Sequence, residues 1–318
     1  MYKSFYKLQR NAFEITPDPS FLFATQRHSD ALSSLYYGVH SRKGFIVLTG
    51  EVGTGKTLLL RCLLQLLEKN KDVAYAYLFN SKLSPTDFLQ YVLSDFGLSP
   101  AGKSKGELLF ELLKFVVDRS LKNLTTVLIV DEAHHLSTDT LEEIRLLTNL
   151  ETAQRKMLQI VLVGQPELDD KLESPNMTQL KHRIAVRTDL SPLTSEETAG
   201  YIQRRLQVVG ASSHAQTIFP PDAVAAVYRY SRGNPRLINT LCENGLISAY
   251  GKQLQSVTPK IIDEIAEHFR LRVPSARETR REDAPEPDIQ EAARTLLKLY
   301  ASLHKQNSPE ITAISSRV

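Results

Sequence analysis

Gly50-Glu51-Val52-Gly53-Thr54-Gly55-Lys56-Thr57 fills every fixed position of the pattern G-x-x-x-x-G-K-[ST], a glycine-rich loop that cradles phosphates. The stretch before it, Gly44-Phe45-Ile46-Val47-Leu48-Thr49, is a short apolar run rich in β-branched residues, as a strand buried on both faces of a parallel sheet requires. Leu58 to Glu68 follows with leucines at helical spacing and neither Gly nor Pro, so the loop joins a strand to a helix. Gly50, Gly53 and Gly55 permit backbone conformations that a Cβ would forbid, which lets successive N–H groups face an anion at the helix N-terminus. In such a loop Lys56 reaches the β- and γ-phosphates and the Thr57 hydroxyl completes a Mg²⁺ site. Gly50, Glu51, Val52, Gly53, Thr54, Gly55, Lys56, Thr57 and Leu58 are therefore the expected nucleotide-binding set.

The 318 residues suit two domains or one large one, and 42% hydrophobic residues supply a substantial core. A net charge of +3 permits contact with nucleic acid without arguing for it. Cys62 and Cys242 lie far apart in predicted helices and form no C-x-x-C pair, so buried thiols in a reducing compartment are expected. Met1 to Arg10 lacks an apolar leader region, and no apolar run approaches the length that spans a bilayer. The expected location is the cytoplasm, with no transmembrane segment.

Outward from the loop, strand and helix patterns alternate. Phe5, Tyr6, Phe13, Phe21 and Phe23 make residues 1–27 too apolar for a free tail. Asp30 to His40 reads as a helix leading into the first strand. Val73 to Phe79, Thr126 to Val130, Leu158 to Gly164 and Arg183 to Leu190 read as further strands. Helices are expected after Ser84-Pro85-Thr86-Asp87, an N-cap with Pro at N1, over Glu107 to Leu121 and over Thr138 to Leu150. Strict alternation predicts an α/β fold: a parallel five-stranded sheet with helices on both faces and ligands at the carboxyl ends of its strands.

From Thr194-Ser195-Glu196-Glu197, a capping box, the pattern turns wholly helical. The expected divisions are an N-terminal segment and helix packing on the core (1–43), the α/β core (44–193), a helical lid (194–272), and a charged linker with a C-terminal helix over Ile289 to His304 (273–318).

Val127-Leu128-Ile129-Val130-Asp131-Glu132 is an apolar strand ending in two acids. After a phosphate loop, this reads as the element that holds Mg²⁺ through Asp131 and polarises an attacking water through Glu132, since phosphoryl transfer needs positioning and charge neutralisation above all. Asp131-Glu132-Ala133-His134 also spells a helicase motif, but no second helicase-like domain follows.

These motifs, with the polar strand end at Gly164-Gln165 and the helical lid, resemble the AAA+ class of P-loop NTPases. Phe13 to Phe23, the loop itself, Asp131 to His134 and Gly164-Gln165-Pro166-Glu167-Leu168 resemble the general secretion pathway protein A (ExeA-like) ATPases, and more distantly the transposition regulators of the TnsC and MuB kind. The resemblance covers residues 1 to about 270. It implies hydrolysis of MgATP at subunit interfaces of a homo-oligomer, ring or helical filament, coupled to a protein partner that the sequence does not identify. The alternative is an ATP-dependent oligomer that binds DNA. The resemblance also assigns Gln165 to sensing the γ-phosphate, Asn80 to restraining Glu132, and Arg236 to reaching the phosphates from the lid. Arg183, in Leu180-Lys181-His182-Arg183, is expected to be the arginine finger, with Arg187 the competing choice; a planar, permanent cation suits that task.

Overall fold

The computed structural model describes residues 1–79, 82–153 and 155–272. A five-stranded parallel sheet in the order β2-β3-β4-β1-β5 lies at its centre, with β1 Phe45–Gly50, β2 Val73–Leu78, β3 Thr125–Val130, β4 Leu158–Val163 and β5 Ile184–Leu190. Around it run α1 (Tyr2–Phe5), α2 (Gln26–His40), α3 (Lys56–Glu68), α4 (Pro85–Asp95), α5 (Lys105–Leu121), α6 (Thr138–Leu147), α7 (Pro166–Glu173) and α8 (Thr178–Lys181). The helical part then follows as α9 (Ser195–Val208), α10 (Ala215–Ile218), α11 (Pro221–Ser231), α12 (Pro235–Gly251) and α13 (Pro259–His268).

Burial follows position in the sheet. Every residue of β1 and β4 is buried, whereas β2 is partly exposed and β5 alternates. Continuous apolar runs therefore lie inside, and Ile184-Ala185-Val186-Arg187-Thr188-Asp189-Leu190, polar at intervals, lies at a rim. Alternate residues of the central strands feed two cores, as the period of a strand dictates. Ile46, Leu48, Ile129 and Val161 pack with Leu35 of α2 and Leu59, Leu60 and Leu63 of α3. Phe45, Val47, Leu128 and Ile160 pack on the other face with residues of α4, α5, α6 and α7.

Side-chain caps set the helix starts. Thr25 accepts the His28 N–H and starts α2 at Gln26, four residues before the expected Asp30. Ser84 caps α4 with Pro85 at N1, and Ser104 with Glu107 forms a full capping box on α5. The helix expected to run to Leu150 ends at Leu147, where the Thr148 hydroxyl folds back on the Arg145 carbonyl at 2.6 Å.

A third core joins Ile202, Leu206, Val227, Ile238, Leu241 and Ile262 of the lid helices, and Tyr6, Leu8, Phe13 and Phe21 belong to it. The N-terminal segment, expected on the α/β core, is thus split: α2 packs on the sheet while the residues before it cover the lid. Buried polar bonds hold them there. The Arg205 guanidinium donates to the Ala12 carbonyl at 2.7 Å, and the Tyr6 hydroxyl donates to the Leu254 carbonyl at 2.8 Å. Residues 1–271 form one compact unit. Asn80 and the expected helix over 289–304 lie outside the described residues. Among the described residues no helix is long and apolar enough to cross a membrane.

Candidate functional site

β3, β4 and β1 are neighbours and parallel, so their carboxyl ends bring Asp131, Gly164 and Gly50 to one edge of the sheet. Because β1 lies between β4 and β5, connections leave that edge in opposite directions and open a crevice there.

The glycine-rich loop forms the floor of this crevice. Gly55 is the N-cap of α3 in the left-handed region, φ 103°, and no side chain caps it. The first-turn N–H groups of a 13-residue helix are thus aimed at the crevice at its positive end. At Gly53, φ 84°, a Cβ would sit 2.6 Å from Asn234 Oδ1 and 2.8 Å from Arg236 Cβ, so glycine is what lets the lid close on the loop. Lys56 is only 6% exposed, and its Nζ donates to the Gly50 carbonyl at 2.7 Å and the Glu51 carbonyl at 2.8 Å. Burial pushes its pKa down, and the nearby Glu132 and Asp131 carboxylates push back.

Asp131 is buried at the end of β3. Its Oδ1 accepts the Glu132 N–H at 2.9 Å, and its Oδ2 accepts the Tyr77 hydroxyl at 3.0 Å and the Thr57 hydroxyl at 3.3 Å. Burial raises the pKa of this carboxyl against those hydrogen bonds. The Thr57–Asp131 pair sets a hydroxyl and a carboxylate side by side beside the open helix end. Among the described residues no cluster of three or more His, Cys, Asp or Glu could hold a metal. The pair instead fits a hard cation such as Mg²⁺ that completes its shell with phosphate oxygens and water.

Glu132 adopts φ 52° and ψ 36°, a conformation uncommon outside glycine. The turn leaves Glu132 Oε2 within 3.5 Å of Gln165 Nε2 and 3.4 Å from His134 Nδ1. His134 is buried, and its Nδ1 also lies 3.4 Å from the Gln165 backbone nitrogen. Burial and the neighbouring His135 hold its pKa down. Lys171 of α7 donates to the carbonyls of His134 and, at 3.0 Å, Leu136, pinning the turn behind Glu132.

The lid closes the crevice. Asn234 accepts the N–H groups of Arg236 and Leu237 at 3.0 and 3.3 Å, capping α12, and its Nδ2 donates across to the Val52 carbonyl at 2.6 Å. The cavity between loop and lid is about 300 Å³. Lys56, Thr57, Glu132 and Gln165 line it from the core, Arg205 and Arg236 from the lid, and Ile15 and Pro17 from the N-terminal segment. A groove of similar volume, about 290 Å³, lies between α9 and α11 along Ile202, Leu206, Phe219 and Val224, and none of the candidate site residues lines it.

Arg183 stands apart from this assembly. It precedes β5, whose first residue pairs with Phe45 at the start of β1, so it sits at the opposite edge of the sheet from Gly50. The separation along the strand is roughly 17 Å, beyond the reach of an arginine in the same chain. Its Nη1 lies 3.5 Å from the Thr148 carbonyl. Arg187 is engaged by Asp169 and Glu173 of α7.

Residues that sequence reasoning missed are Tyr77, Asn234, Lys171 and the cavity wall of Ile15, Pro17 and Arg205. Asn234 alone carried a readable signal, a capping residue directly before Pro235. The others meet the motifs only across long sequence separations.

Residues 39–172 match the family model described as an AAA domain. Over 257 residues, 79% of this chain, the sequence is 44% identical to general secretion pathway protein A of Aeromonas hydrophila, and the match covers 45% of that protein. The chain therefore spans less than half the length of that relative. The fold is shared with the ORC2 protein of Aeropyrum pernix in its ADPNP-ADP complexes (16% identity, 81% of this chain and 71% of that one, TM-score 0.61). It is shared equally with Cdc6p of Pyrobaculum aerophilum (17% identity, 82% and 72%, TM-score 0.61).

Proposed function

We propose, from the premise that the chain carries the AAA+ P-loop fold and is akin to general secretion pathway protein A, that it binds MgATP between sheet and lid and hydrolyses it to ADP and phosphate. The observation that carries this reading is the convergence of Lys56, Thr57, Asp131, Glu132, Gln165 and Arg236 around the uncapped N-terminus of α3.

Each residue has a chemical task in that arrangement. The N–H groups of Gly53, Gly55, Lys56, Thr57 and Leu58 face the phosphates, and Lys56 exchanges its carbonyl partners for phosphate oxygens. Thr57 and Asp131 would hold Mg²⁺, which would supply charge neutralisation at the phosphates. Glu132 orients and polarises water for in-line attack, while Gln165 contacts that water or the γ-phosphate. Arg236 places a cation on the lid side. Asn80 is assigned by family likeness to restrain Glu132. Because Arg183 cannot reach its own site, it serves the site of a neighbouring copy, and turnover follows assembly of a homo-oligomer acting on a protein partner.

A second reading, an ATP-controlled oligomer on DNA, is favoured by one feature of the sheet's amino edge. Arg42, Arg119 and Arg155 converge on the turn over 119–126, donating to backbone carbonyls and side-chain oxygens, with the Asp72 carboxylate acting on Arg119 and, among the described residues, no salt bridge to any of the three. ATP-dependent sizing with and without duplex DNA separates the two.

The test of the ATPase itself is phosphate release by wild type and Glu132→Gln alongside nucleotide binding. Binding is expected to persist in Glu132→Gln while turnover falls about 10²-fold or more. A Glu132→Gln protein that hydrolyses like wild type would remove Glu132 from the reaction.

A further inference from the structure

His28 is a buried histidine that none of the tasks above uses. It lies in the first turn of α2, 7% exposed, against the outside of the glycine-rich loop. Its Nδ1 is 2.7 Å from the Thr25 hydroxyl. Its other nitrogen faces the loop: a Cβ built on Gly55 would lie 3.6 Å from His28 Nε2, and the Thr54 backbone is a hydrogen-bond partner of the ring. Burial is the largest influence on its pKa and lowers it, which favours the neutral ring. A neutral ring has one donor and one acceptor. The tautomer in which Nδ1 accepts from Thr25 puts the proton on Nε2, the nitrogen beside Gly55, facing the Thr54 carbonyl.

That bond has a geometric consequence for the site. The Thr54 carbonyl and the Gly55 N–H belong to one planar trans peptide, in which the two groups point in opposite directions. Holding the carbonyl outward on His28 turns the Gly55 N–H inward, at the mouth of α3 where the phosphates would lie. Gly55 at φ 103° has no Cβ to hold this peptide in place by packing, so an external anchor is needed.

We propose that His28 is a positioning residue of the phosphate site, reaching from α2 to fix the Thr54–Gly55 peptide so that its N–H faces the nucleotide. The inference rests on the nucleotide-binding reading of the same loop and adds to it a residue outside every motif. Thr25 acts through the ring by keeping the Nε2 proton on the loop side.

Gln presents an amide N–H near the position of Nε2, whereas Asn carries its amide only as far as Nδ1, and Leu fills space with no donor. The experiment is equilibrium binding of ATP and of ADP to the full chain as wild type, His28→Gln, His28→Asn and His28→Leu, with kcat and KM from turnover and a melting curve for each. His28→Gln is expected within about threefold of wild type. His28→Asn and His28→Leu are expected to weaken both nucleotides by on the order of tenfold, the effect of one hydrogen bond to a charged group, with kcat at saturation changed less than KM. Asn and Gln variants that bind alike, at either wild-type or weakened affinity, overturn the proposal, because the donor's position would then be irrelevant. If His28→Leu does not fold, the Asn and Gln pair still decides. A wild type that binds neither ATP nor ADP retires the nucleotide reading itself, an outcome distinct from indifference to residue 28.

Discussion

The two walls of the cavity are built differently. The core wall comes from three strand ends, each followed within a few residues by its chemistry: Gly50 to Thr57 after β1, Asp131 and Glu132 after β3, Gln165 after β4. The lid wall is assembled from Ile15 and Pro17, Arg205, Arg236 and Asn239, which come from the N-terminal segment, α9 and α12. A parallel sheet puts its chemistry at one edge whatever surrounds it, so the core wall needs only local sequence. The lid wall exists only when residues 6–21 pack into the lid core and Asn234 meets Val52. The first wall is therefore expected to carry the phosphate affinity, and the second to set closure over it.

The largest effect should fall on the core wall. Lys56→Ala is expected to lower ATP affinity roughly hundredfold or more, since a buried charge-assisted contact is lost. Equal affinity in titrations of the two proteins would break the contrast. Lys56 also predicts a pH dependence. Burial depresses its pKa, and phosphate binding favours the charged form, so affinity holds below the depressed pKa and falls as pH rises through it. Titrations at rising alkaline pH should show that fall for wild type and none for Lys56→Arg, whose guanidinium stays charged.

On the lid wall the effects should be smaller and of another kind. Arg236→Ala is expected to cut turnover about tenfold to hundredfold with a lesser change in binding. Asn234→Ala removes both a helix cap and the tie to Val52, at a cost of about 1 kcal/mol in stability. Melting curves and single-turnover kinetics measure the two; loss of ATP binding equal to that of Lys56→Ala would erase the difference between the walls. Smallest of all should be Arg187→Ala, which breaks half-exposed ion pairs with Asp169 and Glu173 worth about 1 kcal/mol or less. Turnover within about twofold of wild type is expected, and a collapse would move the finger assignment from Arg183 to Arg187.

The same contrast explains what the sequence made legible. The apolar runs of β1, β3 and β4 and the motif at each strand end were readable because the signal is contiguous, and the expected family likeness stands at 44% identity. The rim strand β5 was readable to within one residue, expected from Arg183 and observed from Ile184. The placement of residues 2–21 was not, because apolar content says that a segment is buried but not against which surface. Tyr77 on Asp131, Lys171 behind Glu132 and His28 behind the loop were hidden for a related reason: each is an ordinary residue of its own element, joined to the site only by long-range contacts.

In the proposed function the cavity would hold ATP with every catalytic group except a last cation, which Arg183 of a neighbouring copy would supply from the far edge of its sheet. The most direct measurement is ATP turnover in mixtures of Arg183→Ala and Lys56→Ala proteins, compared with each alone and with wild type across a dilution series. Turnover per subunit should rise with wild-type concentration, and the mixture should recover activity that neither variant has, because some interfaces then join an intact loop to an intact arginine. A flat wild-type series together with an inactive mixture would contradict the claim and leave the site complete within one chain.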